Sequence, residues 1–103
     1  MRGTITIIQP DGTISQKDID SIPDVSEFQA AVGGYIETVP YFEKYNGKRC
    51  VAFCHEEGKL EGLPTNRHAM AAWEAALGRP IAEDYLVGPI CIISGDEDFL
   101  SQL

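Results

Sequence analysis

Cations are in short supply in this 103-residue sequence: eight Lys and Arg face sixteen Asp and Glu, leaving a formal net charge of −8. A surface so charged repels a phosphate backbone, which argues against direct binding of nucleic acid and makes a basic partner the complementary choice. Plain solubility is the other use of such a balance. Long apolar runs are missing too, since no stretch approaches the roughly 20 residues of a membrane helix. Met1-Arg2-Gly3-Thr4 lacks the basic, apolar and small-residue succession of a secretory leader, so no membrane is expected and the cytoplasm is the expected location. The three cysteines, Cys50, Cys54 and Cys91, are odd in number and sit in apolar surroundings. That argues against a secreted disulfide framework and reads as buried thiols.

These scarcities narrow the chemistry. Cys50, Cys54, His55 and His68 are soft enough for zinc, but Cys50 and Cys54 stand four residues apart on an expected strand, about 13 Å, too far to share a metal. Cys54 and His55 are neighbours that point to opposite faces of that strand. A nucleophilic pair would need a long-range approach such as Cys91 to His68, which keeps a small hydrolase or other enzyme as an alternative. Carboxylates cluster at Glu56, Glu57 and Glu61 and again at Asp96, Glu97 and Asp98, without the ligand spacing of an EF-hand. Solvated turn charge accounts for them. No catalytic residue, metal ligand or cofactor is therefore assigned.

What is present is a globular composition, 44% apolar, and a length that fits one domain, residues 1–103. Thr4 to Ile8 is strongly β-branched and reads as a strand. Gln9-Pro10-Asp11-Gly12 turns it into a second, half-exposed strand from Thr13 to Lys17. Asp24 with Glu27 looks like a capping box opening a short helix, with Val25, Phe28, Ala31 and Val32 on its stripe and Gly33-Gly34 at its end. Tyr35 to Val39 alternates as an edge-prone strand stopped by Pro40. Asn46-Gly47 turns the chain into Arg49–His55, a strand with apolar residues on both faces. Asn66 caps the best helix, whose stripe is Ala69, Met70, Trp73, Ala76 and Leu77, closed by Gly78 and Pro80. A last strand is expected from about Tyr85 to Ile93, then an acidic turn. The order β-β-α-β-β-α-β implies an α+β fold: a mostly antiparallel sheet of about five strands with two helices on one face.

The loop from His55 to Ala69 is the stretch the rest is arranged around. Its glycines lead to Asn66, Arg67 and His68 at a helix start, where unpaired amides and the helix dipole attract anions, and Lys59 is placed to fold over such a ligand. This is not a Walker loop, which needs Gly-Lys-Ser/Thr directly opening a helix. Tyr35, Tyr41, Phe42 and Tyr45 form an aromatic cluster in which Tyr35 could stack on a base. Lys59, Asn66, Arg67, His68 and Tyr35 are thus the candidate ligand-binding residues for a phosphate-bearing, nucleotide-like molecule. The plainer reading makes Asn66 a structural cap and Arg67 the partner of a surface carboxylate. The edge near Tyr35 to Tyr41 also offers a second copy a place to form a homodimer.

Gln9-Pro10-Asp11-Gly12, Gly33-Gly34-Tyr35-Ile36-Glu37, the run Glu57-Gly58-Lys59-Leu60-Glu61-Gly62-Leu63-Pro64-Thr65-Asn66-Arg67, and Val87-Gly88-Pro89 follow one another along nearly the whole chain. Together they resemble the domain-of-unknown-function family 3846, small proteins carried mainly by bacteriophages, prophages and plasmids. The resemblance implies an accessory protein of a phage or mobile element acting in the cytoplasm of a bacterial host, and it supplies no catalytic residue. The expected function is a non-enzymatic acidic binding protein, an inhibitor of a host defence system such as a CRISPR nuclease. Its partner would be a host protein that itself binds nucleic acid. Glu43, Glu56, Glu57, Glu61, Asp96, Glu97 and Asp98 are the candidate partner-binding carboxylates.

Overall fold

The computed structural model describes residues 3–103. Its elements are β1 (Gly3–Ile8), β2 (Ile14–Ile19), α1 (Val25–Val32), β3 (Ile36–Thr38), β4 (Lys44–Tyr45), β5 (Lys48–His55), α2 (Arg67–Leu77), β6 (Ile90–Gly95) and α3 (Glu97–Leu100). The strands lie in the order β2-β1-β6-β5-β3, every pairing antiparallel, with β4 folded back on β5. The first and last strands meet in the middle of the sheet. The α+β class and the mostly antiparallel sheet are those expected from the sequence.

The helices differ from expectation: they cover opposite faces. Phe28 and Val32 of α1, with Phe99 of α3, pack on Ile5, Phe53, Cys91 and Ile93. Ala69 and Trp73 of α2 pack on Ile8, Cys50, Ala52, Ile90 and Ile92. The reason lies in the two central strands. Ile90-Cys91-Ile92-Ile93 is apolar at every position, so both its faces must be covered, and one helical layer cannot do that.

Local chemistry sets the boundaries. Asn46 and Gly47 both take positive φ, 50° and 78°, the geometry a two-residue hairpin turn requires. At Gln9-Pro10-Asp11-Gly12 the Gly12 N–H donates to the Gln9 carbonyl and the Thr13 N–H to the Asp11 carboxylate. Asp24 occupies the N-cap of α1, but its side chain makes no cap hydrogen bond; the Glu27 N–H donates to the Asp24 backbone carbonyl instead, so no capping box forms. The final strand starts at Ile90, later than expected. Before it the backbone bonds outside the sheet: the Leu86 N–H donates to the Met70 sulfur, its carbonyl accepts the Asn66 N–H, and only an isolated bridge from Thr65 to Val87 forms there.

Asn66 ties these parts together. It is 0% exposed, and its side-chain amide donates to the carbonyls of Ile8 (2.8 Å) and Gly88 (2.9 Å). Its side-chain oxygen accepts the Ala69 N–H at 2.9 Å, its own N–H donates to Leu86, and its carbonyl accepts from Met70. One residue thereby joins β1, the start of α2 and the segment before β6. Replacing Asn66 by Ala strands two buried carbonyls and one helix amide, and we expect a loss of about 3 kcal/mol in denaturant unfolding. Asn66→Asp keeps the cap but turns a carboxylate on the two carbonyls, so it should be no milder; a change under about 1 kcal/mol for both would contradict this role.

Candidate functional site

A cleft opens on the α2 side of the sheet, between the chain leaving β3 and the segment before β6. Thr38, Val39 and Pro40 form one wall, Asp84, Tyr85, Leu86 and Val87 the other, and Cys54 and Trp73 lie between them. Its volume is about 120 Å³. Trp73 is buried and donates from its indole N–H to the Pro40 carbonyl at 3.0 Å, which fixes α2 to the end of the edge strand. Leu86 is held from the other side by an N–H bond to the Met70 sulfur at 3.2 Å. Two apolar side chains rim the opening, Leu60 at 88% exposed and Tyr85 at 49%. Tyr41, directly after Pro40, is also exposed and has φ of 63°, a conformation a bulky residue rarely adopts.

Charge at the cleft is unevenly distributed. Glu37, Glu56 and Asp84 line it against a single cation, Lys59. The Lys59 ammonium pairs with the Asp84 carboxylate and stands 4.4 Å from the centre of the Tyr85 ring. The hydrogen bond from Lys59 holds the Asp84 carboxyl below the usual carboxylate range, and the same bond raises Lys59. Both side chains are more than 40% exposed, so the pair is a latch across the rim and a minor source of stability.

Burial pushes the Cys50 thiol up to about 12, with Glu43 adding to it, and Cys54 and Cys91 up to about 11, with Glu37 adding to Cys54. His55 has a side chain 7% exposed, wedged against Gly34, where any Cβ would lie 2.4 Å from the ring nitrogen. Its Nδ1 accepts the Glu57 N–H at 3.0 Å, so the ring proton sits on Nε2, facing Glu61 at 3.4 Å. His55 therefore clips the loop to the end of β5.

The residues expected to bind a ligand are not gathered in one place. Of the five, Lys59 alone lines the cleft. Asn66 is buried with its side chain spent on the fold, which corrects its assignment as a ligand donor. Arg67 and His68 are exposed in the first turn of α2, with His68 lying against Gly12 of the β1–β2 turn. Tyr35 is exposed and engages Glu56 through its carbonyl.

The seven carboxylates also fall into two groups, at opposite ends of β5, a strand about 23 Å long. Glu43, Asp96, Glu97 and Asp98 lie at its start among cations; Arg49 stands 3.9 Å from Glu97, and Asp96 caps α3 through the Phe99 N–H. Glu56, Glu57 and Glu61 lie at its end, and of these only Glu56 lines the cleft. Sequence reasoning passed over Glu37, Leu60, Trp73, Asp84 and Tyr85 as site residues. An exposed leucine between two glycines was the one available signal.

The model of a protein family described as "Domain of unknown function (DUF3846)" matches residues 1–102. The chain belongs to this family. No curated protein and no solved structure matches it. The family match covers the strands, both long helices and every residue of the cleft, so the cleft lies within the family's own domain. Among the described residues, no helix of this DUF3846 chain is long and apolar enough to cross a membrane.

Two measurements test this geometry. Because Asp84 is held below its ordinary 3.8, its ion pair contributes stability above that pH and loses it as pH falls through the lower folded value. Asp84→Asn should cost under about 1 kcal/mol at pH 7, with the gap to wild type closing in acid melts below pH 3.8; a gap that widens there contradicts the latch. With the Cys54 thiol moved from 9.0 to about 11, alkylation of the native protein at pH 7 should run about a hundredfold slower than for a model thiol. Labelling at the model rate contradicts the burial of this group.

Proposed function

We propose that this chain is a non-enzymatic binding protein that grips a basic side chain of a partner protein in the cleft beside β3. The observation that carries the reading is the pairing of an apolar rim, Leu60 and Tyr85, with two carboxylates, Glu37 and Glu56, in excess of the Lys59–Asp84 pair around one small hollow. A hollow of about 120 Å³ suits a single anchoring side chain, since small-molecule sites run to roughly 300–1,000 Å³. Basic anchors such as Arg are frequent hot spots when their stem packs on aromatic and aliphatic groups in a pocket that excludes water. The net charge of −8 favours approach to a basic surface.

The setting we propose is a phage or other mobile element, with the partner a host protein that binds nucleic acid and the effect an inhibition of host defence. The alternatives draw less support. A nucleotide-like ligand at the start of α2 would have to do without Asn66, whose side chain is committed to Ile8, Gly88 and Ala69. An enzyme using a thiol would need a thiolate at neutral pH, whereas burial raises all three cysteines.

Capture from host lysate tests the proposal when run with three forms of the protein: wild type, Leu60→Asp with Tyr85→Ala, and Asp96→Lys with Glu97→Lys. A protein retained by the first and third but lost, by at least about tenfold, with the second is the expected result. A partner held equally by the cleft variant and lost with the distal one would move recognition to the acidic turn before α3.

A further inference from the structure

The sheet has two outer edges, and they differ in kind. β3 is three residues long and is followed at once by Val39 and then Pro40, which has no N–H to offer. β2 is six residues long, pairs with β1 over its full length, and contains neither Pro nor Gly. It is exposed at every position from Ile14 to Asp18, with Ile14 itself 51% exposed.

The register fixes which backbone groups of β2 are spare. Gln9 donates to Thr13 across the hairpin, so the pairs Ile7–Ser15, Ile5–Lys17 and Gly3–Ile19 are the hydrogen-bonded ones, because such pairs recur at every second residue. The N–H and C=O groups of Ile14, Gln16 and Asp18 therefore point away from β1 along the open edge. That is a ready template for another strand: β2 has neither bulge nor proline, and the charges of Lys17 and Asp18 are what guard its edge.

We propose that β2 pairs antiparallel with β2 of a second copy about a two-fold axis at Gln16, making one continuous sheet through two chains. Three observations select this partner and this register. With Gln16 on the axis, Ile14 faces Asp18 of the second copy, and every outward-pointing residue of the strand finds a hydrogen-bonding mate. On the other face Lys17 stands opposite Ser15, so no like charges meet directly. An axis at Lys17 would set two ammonium groups against each other, and one at Ser15 would pair Asp18 with Gly12 in the turn. The dimer thus uses the far edge of the sheet from the cleft and leaves β3 free.

Sedimentation velocity tests this at concentrations on the order of 100 µM, suited to a small interface, in about 0.3 M salt to screen the repulsion between two acidic copies. The wild type should sediment at twice the 11.3 kDa of the chain. Gln16→Pro removes an outward N–H while leaving the bonds to β1, at the cost of a side-chain bond from Gln16 to Thr6 (3.2 Å), and should be a folded monomer. Ser15→Glu places a carboxylate opposite Lys17 and should tighten the dimer, and Ser15→Lys should loosen it, each by about threefold to tenfold because the axis repeats the contact. A wild type that stays monomeric, or a dimer that ignores both Ser15 changes, overturns the proposal. If Gln16→Pro fails to fold, the Ser15 pair decides.

Discussion

A buried amide holds this fold in register. Asn66 has no contact with water, yet each hydrogen-bonding group of its side chain has a partner, and those partners belong to three different parts of the chain. A buried amide so placed gives little net free energy relative to water, but leaving any partner unmade costs its full desolvation. The penalty is what forces the helix start, the end of β1 and the turn at Gly88 into a single arrangement. With the start of α2 fixed, Trp73 falls two turns later under Pro40, and with Gly88 fixed, Leu86 and Tyr85 form the opposite wall. The cleft is a consequence of this tie.

Much of the architecture was readable because local signals agreed with one another. The Asn-Gly turn, the glycine ends of both long helices, the Asn66 cap and the β-branched first strand each have a physical reason that does not depend on distant residues. The placement of the helices was not readable in the same way. Both β5 and the run Ile90-Cys91-Ile92-Ile93 are apolar on two faces, but only the strand order, which puts β6 in the middle of the sheet, shows which helix covers which face. The strand expected from Tyr85 was overextended for a related reason: a run of apolar residues reads as a strand whether each is buried by a sheet or by a loop that happens to pack.

The site was less legible than the fold. Loop residues with chemical character attract attention, so Asn66, Arg67 and His68 stood out, yet Asn66 is fully buried and holds the fold, while Arg67 and His68 are exposed away from the cleft. The groups that actually converge, Glu37, Lys59, Trp73, Asp84 and Tyr85, are spread from one edge strand to the last loop, and nothing in their spacing announces it. Lys59 was singled out for folding over a ligand; instead it lies over Tyr85 and beside Asp84. Acidic residues counted as one surface divide between the two ends of β5, which removes the simplest picture of a single negative face. What is left at the cleft is smaller and more specific, an apolar rim around a charged pair.

If Asn66 couples these parts, they open together or not at all. Native-state hydrogen exchange reads this directly at the amides of Asn66, Ala69 and Gly88, bonded to Leu86, Asn66 and Pro64, against amides in the β5–β6 ladder. The account predicts that both sets exchange only by global unfolding, with the same free energy and the same denaturant dependence. Exchange of Asn66, Ala69 and Gly88 through a local opening, while the ladder stays protected, would contradict it.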